Sequence, residues 1–180
     1  MANSTNNVST GKGKVSGYAY MAPAGTTLPT DATTALASDY QILGYISEDG
    51  ITHSTTRDAA EIKDLNGDTV LSPQTGHSET FGATFIESLN TNVLKMVYGD
   101  DAVTVDQGAI TIEADGAELP ASVFVFELIE RDKAKRIVVP NGKITEVGDV
   151  VYNANDVVGY EVTINALPDA SECKHYEYIA

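Results

Sequence analysis

Cysteine, basic charge and long apolar runs are all scarce in this sequence. A single cysteine, Cys173, stands among 180 residues. It excludes an internal disulfide framework and suits a reducing compartment, where such bonds are rare, so its plain reading is a free thiol near the C-terminus. No apolar stretch approaches the roughly 20 residues that cross a bilayer as a helix, and the opening MANSTNNVSTGKGKVSG has no apolar core of the kind a signal peptide needs. The expectation is a protein made in the cytoplasm without membrane insertion. Asn3-Ser4-Thr5 and Asn7-Val8-Ser9 fit the glycosylation sequon, but without a secretory signal they read as part of a polar arm.

Lysine and arginine together number 11 against 26 acidic residues, a net charge of −15. Such a chain repels phosphate instead of neutralising it, which argues against affinity for nucleic acid. Spaced chemistry is missing too. His53, His77 and His175 stand apart, and the chain has no His-Glu-x-x-His, Cys-x-x-Cys or Gly-x-Ser-x-Gly. Each histidine reads as a strand or surface residue. Asp64-Leu65-Asn66-Gly67-Asp68 is faintly similar to a calcium loop, but Thr69 stands where that loop needs glycine, and a hairpin turn explains the run better. Gly11-Lys12-Gly13-Lys14 lacks the spacing of a phosphate-binding loop. No catalytic, cofactor or metal-binding set is read, and an enzyme is the least favoured class.

What is present is alternation. In residues 160–166, Tyr160, Val162, Ile164 and Ala166 fall on one face of an extended strand while Glu161, Thr163 and Asn165 fall on the other. Residues 144–152 are rich in β-branched side chains, and Asn153-Ala154-Asn155-Asp156 supplies turn chemistry between the two runs. Residues 16–21, 103–105, 110–113 and 175–179 read as further strands. Residues 40–47 and 51–57 read as a hairpin turning at Glu48-Asp49-Gly50, and residues 61–64 and 69–72 flank a second turn at Asn66-Gly67. The run SVFVFELIE at 122–130 is apolar on both faces, which places it at the centre of the fold. One helix is expected over residues 88–98, with Leu89, Val93, Met96 and Val97 on its apolar face, Ser88 as cap and Gly99 as its left-handed end. At this size about 70% of the unfolded surface can be buried in one core.

Two stretches stand outside the strands. Residues 22–39 form a long loop of Pro, Gly, Thr, Ala and Asp, of a length that tends to be functional or disordered. Arg131, Lys133, Lys135 and Arg136 form the one basic cluster of the body; it reads either as a solvated turn or as a partner for a neighbour's acidic surface.

Four segments carry a family likeness: LGYISEDGI at 43–51, VLKMVYG at 93–99, PNGKITEVGDV at 140–150 and GYEVTINALPD at 159–169. In this order they resemble the major tail tube protein of long-tailed, non-contractile bacteriophages, the siphovirus type. The resemblance implies a mainly β fold, a two-sheet sandwich or barrel with one flanking α-helix. The polar composition of residues 1–14 reads as a flexible arm ahead of a single domain at 15–180 that carries the loop at 22–39. The resemblance also implies a structural subunit that forms stacked hexameric rings around a channel for DNA passage, assembled in the host cytoplasm and resident in the virion tail. The partners implied are other copies of the chain and the tape measure, tail-tip and tail-terminator proteins, with DNA passing unbound. On composition alone the acidity reads as solubility; a surface past which DNA must slide has the same requirement.

On this reading Pro23, Leu28 and Pro29 of the loop, with Arg131, Lys133 and Arg136, are candidate contacts between subunits or rings. Glu146, Asp149 and Glu161 are candidates for the lumen, on or beside the polar face of the last hairpin. Deletion of residues 25–35 is expected to leave a folded monomer unable to form tubes. The alternatives are a non-tube β-sandwich adhesion or interaction module, which would stay monomeric, and the tube protein of a contractile or secretion system.

Overall fold

In the computed structural model of the chain, residues 3–180 are described. The elements in order are β1 (Gly11–Gly13), β2 (Ala19–Pro23), β3 (Gln41–Ile42), β4 (Ile46–Ala59), β5 (Ile62–Lys63), β6 (Thr69–Leu71), β7 (Gln74–Phe85), α1 (Thr91–Tyr98), β8 (Val103–Asp106), β9 (Ala109–Ile112), β10 (Ser122–Glu130), β11 (Lys133–Val147), β12 (Tyr160–Ala166) and β13 (Tyr176–Ile179). The main sheet runs β3-β2-β10-β11-β12-β7-β4, with β1 added to β10 and β13 to β11; β5-β6 and β8-β9 are separate ribbons. Every pairing is antiparallel.

The 15-residue β11 makes this one sheet into two layers. Its first half pairs with β10 on one side and β13 on the other, and its second half passes to β12. The change falls at Pro140-Asn141, where the β10 register skips between Ser122 and Phe124. Proline cannot donate to a ladder, so it is tolerated where the ladder is already broken. Phe81 of the β12-β7-β4 layer meets Phe126 of the other layer with ring centroids 6.2 Å apart. The result is a sandwich and not a closed barrel, since β3 and β4 end the strand path unpaired with each other.

Strand β10 is buried on both faces, as its unbroken apolar run requires. Phe124 and Phe126 enter the main core with Phe81, Phe85, Val162, Ile164 and the helix. Val123 and Val125 point the other way into a second cluster with Ala22, Tyr40 and Val138. Burial of each such side chain contributes about 1.5–3 kcal/mol, so a β10 that served only one core would forfeit half of its apolar content.

Three local expectations need correction. Glu48-Asp49-Gly50 is not a hairpin turn: β4 runs through it, and the register against β7 shifts between Ile46 and Ile51, a bulge with Gly50 at φ +77°. The helix starts at Thr91, because Asn90 caps it by accepting from the Asn92 amide; Leu89 is left 82% exposed and Leu94 takes the expected place in the core. Residues 148–152 fall outside β11, which ends at Val147. The N-terminal arm is also drawn into the sheet within the expected span of 1–14. Gly11–Gly13 pair with Leu128, Ile129 and Glu130, and Arg131 donates to the Thr5 carbonyl at 3.0 Å.

Candidate functional site

Strands β4 and β7 extend well beyond the body as one hairpin. Their rungs run from Ile46–Phe85 to Ala59–Gln74, after which β5 and β6 carry the ribbon to its tip. The tip is an Asx turn: the Asp64 carboxylate accepts from the amides of Asn66 and Asp68, each at 2.9 Å. The Asp68 amide first, then Asn66, hold the Asp64 carboxyl below its usual range. Residues 52–75 are all exposed. On this ribbon Ile62, Leu65, Val70 and Leu71 are 48, 106, 63 and 57% exposed. Scattered apolar residues on a surface are ordinary; here four are concentrated on one ribbon, with Ile62 and Leu71 paired across it. The turn is legible from Asn66-Gly67; the reach of the arm is not, because the bulge at Ser47–Gly50 disguises one long strand as two short ones.

The loop at 22–39, expected to reach outward, lies against its own sheet. Ala32 and Tyr40 are buried and Leu28 and Leu36 pack on the cluster of Val123, Val125 and Val138. Arg136 is the anchor. It is fully buried, gives Nε at 2.9 Å and Nη2 to Glu127, and donates to the carbonyls of Asp31 at 2.6 Å and Thr34 at 2.7 Å. Asp31 in turn accepts from the amides of Thr33 and Thr34 at 2.7 and 2.6 Å. Hydrogen bonds from Thr34 and Thr33 hold its carboxyl well below the usual range. Arg136 is therefore an internal strut and not an inter-subunit contact, and removing residues 25–35 would strip cover from Val123 and Val125 and orphan the guanidinium. Pro23, Arg131 and Lys133 are exposed, and Leu28 and Pro29 are half-buried.

Glu146 and Glu161 share a polar face. Glu161 lies opposite Thr84 and Glu146 opposite Thr163, on the side away from buried Val162 and Ile164. Across β7 and β4 the same face continues in Thr80, Ser54, Ser78 and Thr56. Its one lysine, Lys143, is paired to Glu118. Asp149 is exposed in the loop just beyond β11. The face is thus acidic and hydroxyl-rich.

The three histidines, isolated by spacing, meet at one carboxylate. Glu79 is 7% exposed. It is hydrogen-bonded to His175 Nδ1 at 2.6 Å, with His77 Nε2 at 3.0 Å and His53 Nε2 at 3.5 Å. Burial works against the charge of Glu79, but the His175 hydrogen bond and the three imidazoles hold its carboxyl below the usual range. The cluster is invisible to motif spacing because it is a product of strand pairing: His53 and His77 come from the two sides of the long hairpin, and His175 from the segment just before β13.

With this geometry in view, comparison with known proteins adds one match. A family model described as phage tail tube protein matches residues 1–180. No curated protein matches the chain.

Proposed function

The chain belongs to the phage tail tube protein family, and from that premise we propose that it is the subunit of a non-contractile phage tail tube, forming stacked hexameric rings around a channel for DNA. The family is a structural one, and membership implies self-assembly and a place in the virion tail. The observation that carries the finer reading is the projecting hairpin, whose Ile62, Leu65, Val70 and Leu71 are left largely exposed by the described residues. A neighbouring subunit or ring supplies their cover. The sheet also has free edges at β3 and β4, and joining sheets side by side around a ring would close them. Stacking of rings is a head-to-tail contact, which makes an open-ended filament from identical subunits.

Within this arrangement Pro23, Arg131 and Lys133 are proposed contacts between subunits. Leu28 and Pro29 add the outer side of a loop whose inner side is held at home. Glu146, Asp149 and Glu161 are proposed to face the lumen, where an acidic, hydroxyl-rich wall gives DNA phosphates nothing to grip. Assembly would take place in the host cytoplasm, with the tape measure, tail-tip and tail-terminator proteins as further partners.

Negative-stain electron microscopy of the purified chain at high concentration tests the reading. Hollow tubes or rings with a central channel are expected, either alone or seeded with the tail-tip complex. Uniform small particles under both conditions would overturn it in favour of a monomeric interaction module.

A further inference from the structure

We propose that His53, Glu79 and His175 form a binding site for a divalent transition metal ion of the zinc class, with His77 beside the other oxygen of Glu79. All of the chain's histidines, three in number, converge there. The donor atoms of His53, Glu79 and His175 lie within 4.8 Å of one another. Tetrahedral zinc, with bonds of about 2.0–2.1 Å, holds its ligand atoms roughly 3.3 Å apart. The His53–Glu79 separation of 3.5 Å is already near that value, and the His175–Glu79 separation of 2.6 Å opens to it by small side-chain rotations.

Aromatic contacts hold two of the imidazoles in place. His53 stacks on Phe81 with centroids 4.4 Å apart and planes 5° from parallel. His175 stands edge-on to both rings, 4.8 Å from His53 and 5.6 Å from Phe81. His77 supplies an independent sign of an absent partner. Its Nε2 is buried and makes no hydrogen bond among the described residues. It lies 3.0 Å from Glu79 Oε1, near enough to feel the charge but outside hydrogen-bond geometry. A buried ring nitrogen without a bond is costly, which marks this side of the cluster as short of a partner.

Nitrogen donors with one carboxylate favour zinc, cobalt, nickel or copper over magnesium and calcium, which prefer all-oxygen cages. The side chains of His53, His77 and His175 are 31, 27 and 22% exposed, so the site is open to solvent on one side. An ion there would clip the segment before β13 to both strands of the long hairpin at its base. The link is already begun by Lys174, which donates to the His77 carbonyl. The ion would fix the angle at which the arm leaves the body.

Zinc binding to the full-length protein is measured by calorimetric titration and by metal content after dialysis. One ion per chain is expected, with at least a tenfold loss of affinity in His53→Gln and in His175→Gln and a weaker loss in His77→Gln. X-ray absorption of the zinc-loaded wild type serves where a variant fails to fold, and should show scattering from two or three imidazoles with nitrogen or oxygen neighbours near 2.0 Å. No binding tighter than millimolar, unaltered affinity in the His53 and His175 variants, or a zinc shell without imidazole would overturn the site. The donors all belong to one chain, so the outcome is independent of whether tubes form.

Discussion

Arg136 and Glu127 occupy one rung of the β10–β11 ladder, and both are buried, at 0 and 4% exposure. Glu127 is shared: Arg136 takes one carboxylate oxygen and Lys14 takes the other at 2.8 Å. The remaining guanidinium N–H groups hold the carbonyls of Asp31 and Thr34. One rung therefore joins the N-terminal arm, the sheet and the long loop.

Arg136→Ala should be strongly destabilising, because it leaves a buried carboxylate with only the half-exposed Lys14 as partner. Removing one member of a buried pair costs about 3–5 kcal/mol. The urea midpoint should fall, and limited proteolysis should newly cut within residues 24–39. A variant as stable and as resistant as the wild type would show that the loop is held by other means.

Much of the two-layer fold is legible in the residues themselves, for specific reasons. Residues 122–130 have to be central because both phases of the run are apolar, and Tyr160, Val162, Ile164 and Ala166 are the buried phase of β12 as their alternation requires. Loop and site are less legible. Arg136 resembles a surface charge because its neighbours are charged; only the β10 pairing shows that it faces Glu127 under a loop. The histidine cluster depends on register across β4 and β7 and on the path before β13, none of which leaves a mark at fixed sequence spacing.

Gly142 sits where β11 passes between the layers, and a Cβ there would lie 2.5 Å from Phe124 and 2.9 Å from Ile164. Both neighbours are core side chains with nowhere to retreat. Gly142→Ala should lower stability by about 1–3 kcal/mol through overpacking, read as a fall in the thermal midpoint. An unchanged midpoint would mean that the β10–β11 bulge can yield.

Replacing Leu65 and Val70 with aspartate should separate assembly from folding. Both are exposed on the arm, and such surface changes usually alter stability by no more than about 0.5 kcal/mol. The expected outcome is a wild-type thermal midpoint with sedimentation at the monomer position. Tubes of normal length would remove the arm from the assembly contacts.

Glu146→Lys with Glu161→Lys should leave tube assembly intact and slow DNA ejection, since lysines on the wall would hold phosphates in a salt-dependent way. Normal ejection kinetics at low ionic strength would place these residues away from the channel.

Cryo-electron microscopy of the assembled tube reaches the central point most directly. The hairpin of each subunit should lie against a neighbour with Ile62, Leu65, Val70 and Leu71 buried, and the face bearing Glu146 and Glu161 should line the channel. A tube in which the hairpin stands free in solvent, its apolar residues uncovered, would contradict the proposal that this arm joins the subunits.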